Sequence, residues 1–257
     1  MSLAAHAQAT SLESGYHQMY NLDFPAAHAT FAAWKQTHPE DPLGPASNAA
    51  AYLFAEFDRL HVLELDLFAD DSKYLEREKP AADSNVKSAF DSELDRSTQL
   101  ANAALARSPQ DKNAQFAIII ATGLRGDYLA LIEKRNLAAL TSMKSARAAA
   151  EKLIAQDSAF YDAYLAVGCE NYLLSLNAAP VRWLLRLGGS ETDKQTGLNN
   201  LRTAAEKGRY LAPFARLLLA VAALRDKDNA AARALLSGLA DEFPQNGLYR
   251  QELVRLR

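Results

Sequence analysis

The stretch from Leu22 to Pro39 carries a spacing that leaves few folds open. Ala27 is small, Phe31 follows four residues on, Trp34 three further, and Pro39 closes the run. On an α-helix these offsets put the small and the bulky side chains on one face. Pro39 cannot continue the helix. The stretch therefore reads as the second helix of a helix-turn-helix pair. Such a pair cannot bury its apolar face alone, so it must stack on neighbours.

The spacing returns in four more places. Ser97, Ala101, Ala104 and Pro109 follow it, as do Ala232, Leu236, Leu239 and Pro244. Ala146, Ala150 and Leu153 follow it with Ser158 where proline would fall, and Gly197, Leu201 and Ala204 follow it with no closing proline. Small residues at these positions let two helix backbones approach, and the larger ones fill the gap to the next pair. Polar or aromatic turns precede the first and last segments, at Leu22-Asp23-Phe24 and Lys227-Asp228-Asn229.

Alanine and leucine dominate, and both are strong helix formers. Strand-like alternation is almost absent; β-branched residues cluster only at Ile118-Ile119-Ile120, inside a helical pattern. The pattern predicts helices over 8–21, 24–37, 44–69, 84–107, 111–124, 127–156, 159–176, 180–187, 191–207, 211–225, 228–242 and 246–256. Pro39, Pro42 and Pro45 mark breaks. Gly188-Gly189 reads as a helix stop, with Ser190 and Asp193 as a capping pair for the helix that follows.

With its matches at Gly15…Ala27-Phe31-Pro39 and Phe214…Ala232-Leu236-Pro244, the chain resembles the tetratricopeptide-repeat family. Gly168-Cys169-Glu170-Asn171-Tyr172, followed by Pro180 to Leu185 and Gly188-Gly189, looks like a divergent branch of such repeats. Residues 46–92 depart from the pattern, 127–156 is longer than the family's element, and 179–190 reads as an insertion. The resemblance implies an all-α fold: one domain over 1–257, a right-handed superhelix of antiparallel helix hairpins, or TPR-like α-solenoid. It also implies a protein or peptide partner on the concave face, lined by the first helix of each pair. The residues opposite the packing stripe are then Tyr16, Met19 and Tyr20 early in the chain, Asn171 and Tyr172 in the middle, and Phe214, Leu217 and Val221 late, with Arg225 at the rim.

Composition narrows the partner. The chain is 49% hydrophobic and carries a formal net charge of -3, which argues against a nucleic-acid binder with a basic face. No apolar run reaches the roughly 20 residues that span a bilayer. Arg182-Trp183-Leu184-Leu185-Arg186-Leu187 is short for an interfacial helix and reads as a connector docked by Trp183 and Leu184. Ser2 to Ala9 has the small-x-small character of a signal-peptidase site, so 1–10 is expected to be the remnant of an export signal and the protein periplasmic or secreted. A fraying alanine-rich first turn in a cytoplasmic protein is the alternative.

No catalytic constellation, cofactor motif or metal-ligand set emerges. Cys169 is the one cysteine and has no polarising neighbour in sequence. Glu13 with His17, and His61 with Glu64, share helix faces, but the order is wrong for a di-iron pattern and a surface pair is the default. The acidic residues Glu56, Asp58, Glu64, Asp66, Asp70 and Asp71 sustain a rival reading, an all-α enzyme with paired carboxylates. A third reading is an oligomer whose groove is filled by a neighbouring copy or by its own terminus. The expected function is a non-catalytic binding scaffold.

Overall fold

Two turns of the same chemistry sit at opposite ends of the chain. Leu22 and Lys227 both adopt left-handed backbone, with φ of 63° and 61°. In the first, the N–H of Leu22 donates to the Met19 carbonyl and that of Asp23 to the Gln18 carbonyl, at 3.0 and 2.9 Å. In the second, Lys227 donates to Leu224 and Asp228 to Ala223, again at 3.0 and 2.9 Å. Each is a Schellman stop built without glycine. The aspartate that follows then starts the next helix: Asp23 accepts from the Ala26 N–H at 3.2 Å and Asp228 from the Ala231 N–H at 2.9 Å.

The computed structural model describes residues 11–65, 78–176 and 194–256, and in 173–176 the backbone alone. Among these residues no strand occurs. The helices are α1 Leu12–Tyr20, α2 Phe24–Thr37, α3 Leu43–Arg59, α4 Ser84–Arg107, α5 Lys112–Leu131 and α6 Asn136–Gln156. A short 3-10 turn, Tyr161–Ala163, leads into α7 Tyr164–Leu176; α8 Lys194–Lys207, α9 Ala212–Arg225, α10 Asn229–Glu242 and α11 Gly247–Arg255 follow. Each helix packs on the next in sequence, and α1 and α5 both pack on α3.

All five spaced segments turn their stripes inward. Ala27, Ser97, Ala101, Ala150, Leu201, Ala204, Ala232 and Leu236 are fully enclosed. Two glycines permit close approaches between neighbouring helices. A Cβ on Gly15 would lie 2.3 Å from Phe31 Cε1, and one on Gly197 would lie 2.7 Å from the backbone nitrogen of Tyr172. Burying such a stripe against its neighbour is the main source of stability, at about 25 cal/mol per Å² of apolar surface.

Two boundaries differ from the sequence expectation. The break predicted near Gly126 is absent, and α5 runs through to Leu131. Glycine there serves packing: a Cβ would lie 3.2 Å from the Ser142 side chain on α6. The real stop comes later, where Lys134 takes φ of 54°. The helix predicted over 44–69 ends at Arg59, because His61 (φ 53°) forms a third Schellman turn, with the Val62 N–H on the Phe57 carbonyl at 3.0 Å. The expectations for 1–10, 66–69, 180–187 and the Gly188-Gly189 stop lie outside the described residues.

The two ends of the chain meet. The Tyr16 ring lies 5.1 Å from that of Tyr210, and the rings of His17 and Tyr20 lie 5.1 and 5.7 Å from Phe243. Arg209 forms an ion pair with Glu13. Asp162 anchors the start of α9 from a distance, accepting the backbone N–H groups of Arg209, Tyr210 and Leu211 at 2.9, 3.0 and 2.8 Å. Burial pushes the Asp162 carboxyl up, and the three N–H donors offset only part of that.

Candidate functional site

α1 presents Tyr16, Met19 and Tyr20 along one face, and α9 presents Phe214, Leu217 and Val221 along one of its own, at i, i+3 and i+7. α3 adds Phe54 and Phe57 from between them, and the Phe54 ring meets those of Tyr20 and Phe214 edge-on at 5.6 and 5.5 Å. α11 closes the far side with Tyr249. These four helices leave a pocket of about 130 Å³, walled by Met19, Tyr20, Phe54, Phe57, Phe214 and Leu217. Asp58, His61 and Gln251 line it too and are exposed, so they mark its mouth.

The mouth is acidic. Glu64 is half-buried there, with Arg255 Nη2 at 3.5 Å and His61 Nδ1 at 4.0 Å. The Asp58 carboxylate has no hydrogen bond or ion pair among the described residues. Desolvation pushes its carboxyl up, and the nearby His61 only partly opposes this. Deeper in, the Tyr20 hydroxyl is buried with no hydrogen-bond partner among the described residues. Burial holds that phenol well above its ordinary range.

The residues expected along one open groove are not arranged as one. Met19, Tyr20, Phe214 and Leu217 converge on the pocket. Tyr16 lies beneath them, 3% exposed, with its hydroxyl accepting from Ser47 at 3.3 Å. Val221 is buried further along α9, and Arg225 is half-buried at the end of that helix. Asn171 and Tyr172 sit elsewhere: Asn171 accepts from Arg147 at 2.8 Å, and Tyr172 packs under Gly197 in a separate apolar cluster. Seven of the nine are buried, with only Phe214 and Arg225 half-exposed. The reason is that the inner faces of α1, α3 and α9 are apolar enough to pack on one another, so they exclude solvent from the space between them.

Phe54, Asp58 and Tyr249 complete the pocket, and the sequence pattern did not single out Phe54 or Tyr249. Phe54 and Phe57 at i, i+3 on an alanine-rich helix carried a readable signal of an aromatic face. Tyr249 carried none, because only the meeting of the chain ends brings it to α1.

The other candidate residues make the following contacts among the described residues. Glu13 pairs with Arg209, and the His17 ring lies tilted against that of Phe243. Buried Glu56 is held by Arg59 at 2.7 and 2.8 Å and accepts the Asp83 N–H at 2.8 Å, tying α3 to the start of α4. Burial pushes the Cys169 thiol up, away from a reactive thiolate. Among the described residues no group of three or more His, Cys, Asp or Glu side chains is placed to hold a metal ion. Among them too, no helix is long and apolar enough to cross a membrane. Asp66, Asp70, Asp71 and the segment Arg182 to Leu187 lie outside the described residues. A wider cleft of about 420 Å³ lies between α8, α9 and α10. There Asp226 pairs with Lys194, Arg216 with Glu242, and Asp228 caps α10.

Compared with known families and with curated proteins, the chain matches no family model and no curated sequence.

Proposed function

We propose that this protein is a non-catalytic protein- or peptide-binding scaffold of the tetratricopeptide-like kind, a right-handed stack of antiparallel helix pairs. Its partner anchors one bulky apolar side chain in the pocket between α1, α3, α9 and α11. One observation carries the reading. Residues from α1 and α9, far apart in sequence, meet around a space of about 130 Å³, and that space is lined by aromatics and opens to solvent. Aromatic-walled pockets that take a single anchor supply most of the energy in many interfaces. The burial of Tyr16 and Val221 favours an anchor pocket over a continuous groove for an extended peptide.

The rival reading needs two carboxylates poised around a substrate. Glu64 is engaged by Arg255, and Glu56 by Arg59 and the Asp83 backbone. Periplasmic or secreted placement belongs to the same proposal and rests on the pattern Ser2 to Ala9.

The test is selection of displayed peptides on the wild-type protein and on Gln251→Trp, which fills the mouth from an exposed position. Enriched peptides sharing a bulky apolar residue, with binding weakened at least tenfold (about 1.4 kcal/mol) by Gln251→Trp, support the anchor pocket. Peptides that bind both proteins equally, or no enrichment at all, contradict it.

A further inference from the structure

Among the described residues, the mouth of the pocket carries a charge with no ion-pair partner. Asp58 stands at the end of α3, exposed at the rim, with no ion pair among the described residues. His61 is the nearby group that acts on it. The other acid at the mouth, Glu64, shares Arg255 with Glu252, which holds that guanidinium more closely, at 2.7 Å against 3.5 Å. Among the described residues the rim is therefore net acidic above an apolar, aromatic chamber, on a chain of formal net charge -3.

Resting on the anchor-pocket reading, we infer that the partner segment is basic: an apolar side chain enters the pocket while a lysine or arginine beside it reaches Asp58. The two halves of the site suit the two halves of such a segment. Phe54, Phe57 and Phe214 give apolar area for the anchor, and their rings also accept the methylene stem of a long basic side chain. The carboxylate meets the charged head at the surface. Partial desolvation at the rim pushes the Asp58 carboxyl up, and a cation seated beside it would oppose that shift. Charges at the rim of an interface act mainly on partner choice and association rate, so the acidic mouth selects among apolar peptides more than it adds affinity.

The experiment uses the full chain and three fluorescent synthetic peptides: leucine flanked by lysines, leucine flanked by glutamates, and alanine flanked by lysines. Binding is read by anisotropy at low and at physiological salt, on wild type and on Asp58→Asn, with circular dichroism confirming that the variant is folded. The lysine-flanked leucine peptide is expected to bind about tenfold more tightly than the glutamate-flanked one, and Asp58→Asn to narrow that gap to about twofold. Raising the salt should narrow it too. Equal binding of both leucine peptides would overturn the basic partner and leave the anchor pocket standing. Equal binding of the leucine and alanine peptides would overturn both. A dimer that Gln251→Trp disperses, with no peptide bound, would assign the pocket to a second copy and overturn the proposal.

Discussion

The side-chain amide of Asn246 donates a hydrogen bond of 2.8 Å to the backbone carbonyl of Tyr20, across a sequence separation of 226 residues. Beside it, the Gln245 N–H donates to Asn21 Oδ1 at 2.9 Å. The same Asn246 caps α11, its Oδ1 accepting the Leu248 N–H at 3.1 Å. One buried side chain thus starts the last helix and fastens it to the end of the first. Asn246 and Tyr20 both line the pocket.

Replacing Asn246 should therefore cost more than an ordinary cap. Asn246→Ala loses the cap and leaves the Tyr20 carbonyl buried and unpaired. The expected loss is about 2–3 kcal/mol in urea unfolding. A loss below about 0.5 kcal/mol, the level of a neutral surface change, would mean that the junction of the chain ends carries little stability.

Tyr20 points the other way. Its ring is needed for packing, but its hydroxyl is buried without a partner among the described residues. Tyr20→Phe removes the desolvation penalty and keeps the ring, so stability should rise by about 1–2 kcal/mol. Tyr20→Ala removes the ring and should cost about 3–5 kcal/mol. Thermal unfolding of both variants decides the matter; a destabilised Tyr20→Phe would show that the hydroxyl is bonded in solution.

Lys227 is exposed and held at φ of 61°. An L-residue in the left-handed region carries a penalty of about 1–2 kcal/mol that glycine avoids, offset in part by the greater freedom of glycine in the unfolded chain. Lys227→Gly should therefore stabilise by about 0.5–1 kcal/mol, visible as a higher melting temperature. No change would imply that the turn relaxes in solution.

Asp127, on α5, sets a pH dependence. Burial pushes its carboxyl up to about 7. Because the folded value lies above the ordinary 3.8, the folded state keeps this proton longer than the unfolded one. The group's contribution is fully present below about pH 4 and is lost as pH rises through about 7. Asp127→Asn should flatten that slope and stabilise the protein at pH 8 by about 1–3 kcal/mol, a range discounted for the partial exposure of the side chain. Urea titrations at several pH values check it; parallel wild-type and variant curves would show that Asp127 titrates normally.

How much of this was legible depended on range. The stripe at Ala27 and Phe31, and its copy at Ala232 and Leu236, could be read because helical neighbours recur every three or four residues. The turns at Leu22-Asp23-Phe24 and Lys227-Asp228-Asn229 span a few residues, so they were readable too. The break expected between 124 and 127 did not form, and Gly126 gave no guide there, because a glycine that ends a helix and one that lets two helices touch look alike in sequence. His61 misled because nothing marks an ordinary residue for left-handed backbone. The candidate site was half legible. The faces Tyr16-Met19-Tyr20 and Phe214-Leu217-Val221 stood out, but whether they faced a ligand or each other did not.

The sequence by itself determined that the chain is helical, where most helices start, and which face of each is small enough to be approached closely. These are local matters, settled by hydrogen bonds and side-chain spacing within a turn or two. Only the tertiary structure decided that α1 meets α9, α10 and α11. Their meeting depends on how all the helices between them pack, and no single segment encodes that. It turned an expected open face into a buried core with a pocket between α1, α3, α9 and α11, and it set Asp58 at the pocket's mouth.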